Sequence, residues 1–184
     1  DFAVNVSSAE SFITISTPLY TATVTNRSGG SFVNYTLRGE NSGELKYVGG
    51  YGDSGSFQPD LPVSIIMPSP TNCMPCLAYF DDRGDNYHFI NQPFVLLNFS
   101  STEDTVYLDF GDSVELKYAL LGPGGGTLIE KSVVFSADKY INNHFFEIND
   151  DDFDYSSNLE ILWYGGLRPT EEKEDEDVQY GSGM

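Results

Sequence analysis

The chain has 184 residues, with 28 Asp and Glu against nine Lys and Arg and a formal net charge of −19. That length suits one sizeable core. The charge repels phosphate backbones and anionic lipid headgroups alike, which sets nucleic acid aside and argues against direct docking on an acidic bilayer. Thirteen Phe, 12 Tyr, 18 Gly and nine Pro favour pleated strands with many turns over long helices.

Residues 1–11 are polar and mixed, and read as a tail or linker. Alternation begins at 12–16, with Ile13 and Ile15 on one face and Phe12, Thr14 and Ser16 on the other. In 19–25, Tyr20, Ala22 and Val24 oppose Leu19, Thr21, Thr23 and Thr25. The turn Asn26-Arg27-Ser28-Gly29-Gly30 then leads into 31–38, where Phe32, Asn34 and Thr36 oppose Val33, Tyr35 and Leu37. Two alternating runs joined by a Gly-rich turn predict a hairpin. Residues 39–61 hold no long periodic run and read as a surface loop. Short strands are predicted at 62–67, 77–80, 87–90, 94–99, 105–110, 114–120, 128–135, 139–148 and 159–164, with turns rich in Gly, Ser and Asp between them. The run 170–177, seven of whose eight residues follow Thr170 as Glu171-Glu172-Lys173-Glu174-Asp175-Glu176-Asp177, is a solvated acidic loop.

No stretch sustains a helical apolar stripe, so the expected fold is all-β, an antiparallel β-sandwich over residues 12–184. The chain opens at Asp1 without the n- and h-regions of a signal peptide. Its longest apolar runs fall far short of the roughly 20 residues that cross a bilayer. Its last residues look like the approach to another strand, so the expectation is a fragment whose sandwich is incomplete at the C-terminal end.

Three segments carry a resemblance. In 19–38 a strand ends in Arg27-Ser28-Gly29-Gly30 and a second strand follows. Residues 126–148 form an aromatic-ended strand, a short turn with Tyr140 and another strand. Residues 159–170 contain Trp163-Tyr164-Gly165-Gly166-Leu167 just before the acidic run. In this order the segments resemble the periplasmic domain of the YidC-type membrane protein insertases. The resemblance implies a β-supersandwich with a galactose-mutarotase-like outline, on the periplasmic face of the bacterial inner membrane and anchored by transmembrane helices outside this stretch. It implies a non-catalytic, cofactor-free scaffold whose partners are accessory subunits of the Sec translocon and, through the whole protein, nascent membrane proteins. Arg27, Gly29, Gly30, Trp163, Gly165, Gly166 and Leu167 are the positions that carry it.

Other constellations have local readings. Cys73-Met74-Pro75-Cys76 fits a redox dithiol, half of a zinc site or a structural disulfide; its placement in a Pro-rich loop before residue 77 favours the disulfide. His88 and His144 fall on predicted strands, and Glu147 lies three residues beyond His144, which places the two on opposite faces and argues against a local acid–base pair. Residues 149–154 could gather calcium but lack the Gly and distal Glu of an EF-hand, so a solvated turn is favoured. Arg83-Gly84-Asp85 reads as turn chemistry, and the sequons at Asn5, Asn26, Asn34 and Asn98 as incidental. Trp163 reads as a core anchor, with a sugar-stacking platform beside Tyr164 as the alternative; the latter belongs to a second reading of the whole chain, a carbohydrate-binding or carbohydrate-active sandwich. The net acidity reads first as solubility, second as attraction for a cationic partner.

Overall fold

The computed structural model describes residues 9–41, 44–52, 54–67, 71, 73–80, 86–99, 104–149, 159–168 and 170. Every regular element among them is a β-strand. In chain order these are β1 (Phe12–Ser16), β2 (Tyr20–Thr25), β3 (Ser31–Leu37), β4 (Glu40–Asn41), β5 (Glu44–Leu45), β6 (Val48–Tyr51), β7 (Phe57–Pro62) and β8 (Cys73–Phe80). There follow β9 (Tyr87–Phe89), β10 (Val95–Leu96), β11 (Thr105–Tyr107), β12 (Ser113–Leu121), β13 (Thr127–Ser136), β14 (Asn143–Ile148) and β15 (Glu160–Tyr164).

Two four-stranded sheets, β11-β1-β2-β3 and β10-β12-β13-β14, face each other. Alternation dictates which residues they share. Ile13, Ile15, Tyr20, Ala22 and Val24 come from the first, and Leu116, Tyr118, Leu120, Ile129, Val133 and Phe135 from the second; all are buried in one core. A third sheet, β15-β8-β9, joins at the end of β3, where Met74 N donates to Ser31 Oγ at 2.7 Å. The chain is thus an all-β sandwich, with antiparallel pairing throughout except that β1 and β11 run parallel, Ile15 opposite Val106.

The hairpin at 26–30 forms as expected, but its second strand is bulged. Thr23 pairs with Asn34 and Val24 with Phe32, which leaves Val33 as an extra residue. Simple alternation puts Phe32 and Tyr35 on opposite faces; the bulge turns both inward, each 3% exposed. Phe32 then meets Phe135 across the sandwich at 6.1 Å, and Tyr35 stacks on Tyr20 at 4.7 Å. The two phenols also tie down the approach to β14. Tyr20 Oη shares its one proton between Ser136 O at 3.0 Å and Asn142 Oδ1 at 3.1 Å, and Tyr35 Oη donates to Tyr140 O. This is why the predicted strand over 139–148 starts only at Asn143: before it, Tyr140 and Asn142 are held by hydrogen bonds from the opposite sheet instead of a ladder.

Several other boundaries move. Residues 39–61 are not one loop but contain the short hairpins β4–β5 and β6–β7. Residues 63–67 carry only isolated bridges, at Ser64 and Ile66. The predicted strand over 94–99 shrinks to β10, and that over 105–110 to β11. Of the expected tail, Ala9, Glu10 and Ser11 are docked: Ser11 N donates to Asn26 Oδ1, Asn26 Nδ2 to Ala9 O, and Thr25 Oγ1 to Glu10 Oε1. Asn26 is 5% exposed and so engaged that its sequon is closed to modification in the folded chain. Arg83-Gly84-Asp85, residues 150–154, Asn5 and all of the acidic run after Thr170 lie outside the described residues.

Gly30 shows how tightly the hairpin turn is packed. Its φ is +87°, and a Cβ there would lie 2.8 Å from the Tyr118 ring and 3.0 Å from Val133. Gly30→Ala combines a left-handed backbone with an overfilled core and should cost about 2–4 kcal/mol in urea unfolding. Gly124→Ala, where a Cβ meets nothing within 4 Å, should stay within about 0.5 kcal/mol of the parent.

Candidate functional site

The three sheets meet at one point, and at its centre is a lysine. The inward register of β13 runs Ile129, Lys131, Val133, Phe135. Lys131 is fully buried, beside Tyr118 on β12 and Phe146 on β14. Its Nζ donates to Ser28 O at 2.9 Å and to Pro75 O at 2.8 Å, and lies 4.9 Å from the centre of the Phe146 ring. Ser28 reaches it in a left-handed conformation, φ +53°. A buried ammonium without acceptors would cost several kcal/mol; these two carbonyls and the ring face are its replacement for water. Burial still pushes the amine down to about 7.

The residues singled out from the sequence divide around this junction. A Cβ on Gly29 would come within 2.9 Å of Phe94 and 3.2 Å of Lys131, so the left-handed turn lets the backbone lie against the lysine. Arg27 Nε sits 3.0 Å from Glu10 Oε2, an ion pair without the alignment of a directed hydrogen bond, while its Nη1 reaches Asn91 O at 3.4 Å. At Gly165 a Cβ would lie 2.6 Å from Met74 Sδ, which keeps the end of β15 against the cysteine segment. Gly166 O accepts from Met67 N, and Leu167, bridged to Ile66 through the backbone, is 68% exposed.

The cysteine pair is in a strand, not in a loop. Cys73 and Cys76 open β8 and are joined by a disulfide, S–S 2.02 Å, with both residues fully buried. Opposite them β15 places Leu162 against Cys76 and Tyr164 against Cys73, so Met74 and Pro75 bulge across from Trp163. The bulge is what turns Pro75 O towards Lys131. No group of three or more His, Cys, Asp or Glu among the described residues is placed to hold a metal ion.

Trp163 is not a core anchor. It is 44% exposed, its ring 5.9 Å from that of Phe32. As the last residue but one of an edge strand it covers the core from outside. Tyr164 points to the other face, where Phe80, Tyr87, Phe89 and Tyr164 form a row with ring centres 4.7, 5.3 and 5.3 Å apart. Tyr87 Oη donates to Glu160 Oε2 at 2.7 Å, and burial followed by that carboxylate pushes its phenol up to about 12. Trp163 and Tyr164 therefore line no common cleft, which removes the sugar platform expected of them.

His144 sits on the inner side of β14, its ring 5.5 Å from Phe32, while Glu147 on the same strand is exposed. The two are on opposite faces. Burial first, and the Lys131 charge second, hold the imidazole down at about 3, and its Nδ1 has no protein partner. His88 stacks on Tyr79 at 5.2 Å on the far side of β9. The histidines do not converge.

A separate cleft of about 540 Å³ opens on the outer face of β3. Asn34, Thr36, Ser64, Gln58 and Arg168 supply its polar groups, and Val33, Leu61 and Ile66 its apolar wall. Nothing local brings these residues together: Asn34 and Thr36 stand out only as a sequon on a bulged strand, Gln58 and Leu61 fall in the stretch expected as loop, Ser64 and Ile66 in the strand expected over 62–67, and Arg168 just after Leu167. Lys131 was missed too, although a charged residue in the inward register of an otherwise apolar strand was a readable signal.

The lysine makes a pH prediction. An unfolded chain takes up the Lys131 proton at the ordinary 10.5, the native amine only near 7. Between these values the unfolded chain binds more protons, so native stability gains as pH rises. The stability of the parent minus that of Lys131→Met, measured by denaturant unfolding from pH 6 to 10, should climb through that window by at most about 1.4 kcal/mol per pH unit. By NMR titration, the same substitution should also raise the pKa of His144 towards its ordinary value.

Neither a family model nor a curated protein nor a solved structure matches the chain.

Proposed function

We propose that the chain is a non-catalytic scaffolding domain of a YidC-type membrane protein insertase, held at the periplasmic face of the inner membrane and in contact with accessory subunits of the Sec translocon. The observation that carries this reading is the convergence of the three resembling segments. They are separated by scores of residues in sequence, yet the Arg27–Gly30 turn, the 126–148 hairpin and the end of β15 pack on one another around Lys131, Met74 and Phe32. Such a junction is what a family signature made of packing residues amounts to: Arg27, Gly29, Gly30 and Gly165 are each engaged with protein, while Leu167 stays exposed. Gly29, Gly30 and Gly165 are required by close approach, Arg27 by its ties to Glu10 and Asn91.

The chemistry favours a scaffold over an enzyme for the same reason. The two histidines lie apart, Glu147 faces away from His144, and the cysteines are joined and buried. In this reading the domain works through its surface, by a sheet edge or a groove that a partner segment can fill. The supersandwich outline belongs to the proposal as well: the two facing four-stranded sheets and the third sheet beside them are compatible with a larger sheet pair.

The reading frame around this stretch provides the test. The proposal expects one apolar span of roughly 20 residues before Asp1 and about five such spans after Met184. A cleavable signal peptide before Asp1 with no spans downstream would sink it.

A further inference from the structure

We infer that the cleft on the outer face of β3 is a binding site for a carboxylate carried on a small apolar body. The inference stands apart from the insertase reading and rests on how the hydrogen-bonding groups of the cleft are distributed. Asn34 Oδ1 is already an acceptor for Ser64 Oγ at 2.8 Å and Thr36 Oγ1 at 3.3 Å. With its carbonyl so engaged, its Nδ2 has no acceptor among the described residues. Gln58 brings a second amide, whose Nε2 lies over Gly52, where a Cβ would stand 2.9 Å away; any larger residue at 52 would displace it. Arg168 is anchored by Nη1 to Tyr51 O and by its backbone N to Ile65 O at 2.9 Å. Its remaining guanidinium N–H groups have no carboxylate among the described residues.

What sets the cleft apart is therefore its guanidinium, the one charged side chain in its lining, beside two side-chain amides. Among the described residues its lining carries one positive charge and no acidic side chain, in a chain where acids outnumber bases 28 to nine. An ionised carboxylate is acceptor-only and matches the planar guanidinium fork. A neutral sugar fits less well, because it brings no charge to the guanidinium. Val33, Leu61 and Ile66 give the carbon body of the ligand a dry wall, and the volume of about 540 Å³ is ample for one or two residues of a peptide or a branched organic acid. The overall charge of −19 does not by itself forbid this, since charges more than about 8 Å apart are screened at physiological salt.

The test is an NMR titration of the whole 184-residue chain with four probes: 4-methylpentanoate, 4-methylpentanamide, N-acetyl-alanyl-leucine and the C-terminal amide of that dipeptide. Both acids should give saturable shifts of the Asn34 and Gln58 side-chain amides and of Arg168 Nε–H. Each neutral amide should bind about tenfold or more weakly than its acid. Tighter binding of the dipeptide assigns the site to chain ends, and tighter binding of 4-methylpentanoate to free acids; either result upholds the carboxylate. Arg168→Lys keeps the charge but loses the fork and should weaken the acids selectively. Gln58→Ala, at an exposed position of β7, should do the same without touching the fold and decides the matter if the Arg168 variant is unstable. Neutral amides binding as well as acids, or no saturable shift at these three side chains, overturns the inference.

Discussion

The structure depends on the amine of Lys131. A charge-bearing group at the centre of a sandwich is tolerable only if acceptors are delivered to it, and the two that reach it come from different sheets. Ser28 O arrives from the turn between β2 and β3, and Pro75 O from the bulge of β8. Undocking either segment leaves a buried donor unsatisfied, at a cost comparable to a sizeable part of a domain's net stability. The lysine thus couples the third sheet to the sandwich more firmly than apolar contact alone, which is non-directional. The same demand explains the backbone around it. Ser28 takes a left-handed φ, Gly29 and Gly30 follow it, and the strand carrying the disulfide bulges, all so that two carbonyls point inward.

Much of the sandwich was legible because strict alternation is a strong constraint. In 12–16, 19–25 and 114–120 an apolar residue stands at every second position, and in 128–135 the inward register is apolar but for Lys131; those strands form the two inner faces. The reading failed where the period was interrupted. Nothing in Phe32-Val33-Asn34-Tyr35 announces that Val33 is the extra residue, so plain alternation sets Phe32 opposite Tyr35, whereas both turn inward. The hairpins within 39–61 are short and Gly-rich, with no periodic run to betray them. The strand over 139–148 was overextended because the pattern continues through Tyr140 and Asn142, whose partners are two phenols from the other sheet, more than 100 residues away. Long-range hydrogen bonds of that kind leave no local trace.

The candidate sites were less legible than the fold. Trp163 was read as an anchor because a lone Trp leaving an apolar strand usually is one. The strand is an edge, however, and an edge residue can cover the core while half of its surface stays in water. The cysteine pair was placed in a loop on the strength of three prolines, Pro68, Pro70 and Pro75, yet β8 begins at Cys73. A bulge admits a proline into a strand because the residue opposite makes no ladder bond to it.

These failures share a cause that bears on function. The residues that resemble a known family are those with steric work to do: glycines under a ring or a thioether, an arginine tied across a turn. They are recognisable because few side chains fit such places. The residues that present chemistry to the outside, Asn34, Gln58 and Arg168 in the cleft and Phe80, Tyr87, Phe89 and Tyr164 in the aromatic row, sit on bulges, short hairpins and edges, where the backbone tolerates many side chains. A sandwich of this design separates the two tasks. Its packing residues set the position of β3, β7 and β15, and the exposed side chains of those strands can differ without disturbing the lysine junction. The resemblance and the surface chemistry therefore speak of different things, the first of how the domain is built and the second of what it touches.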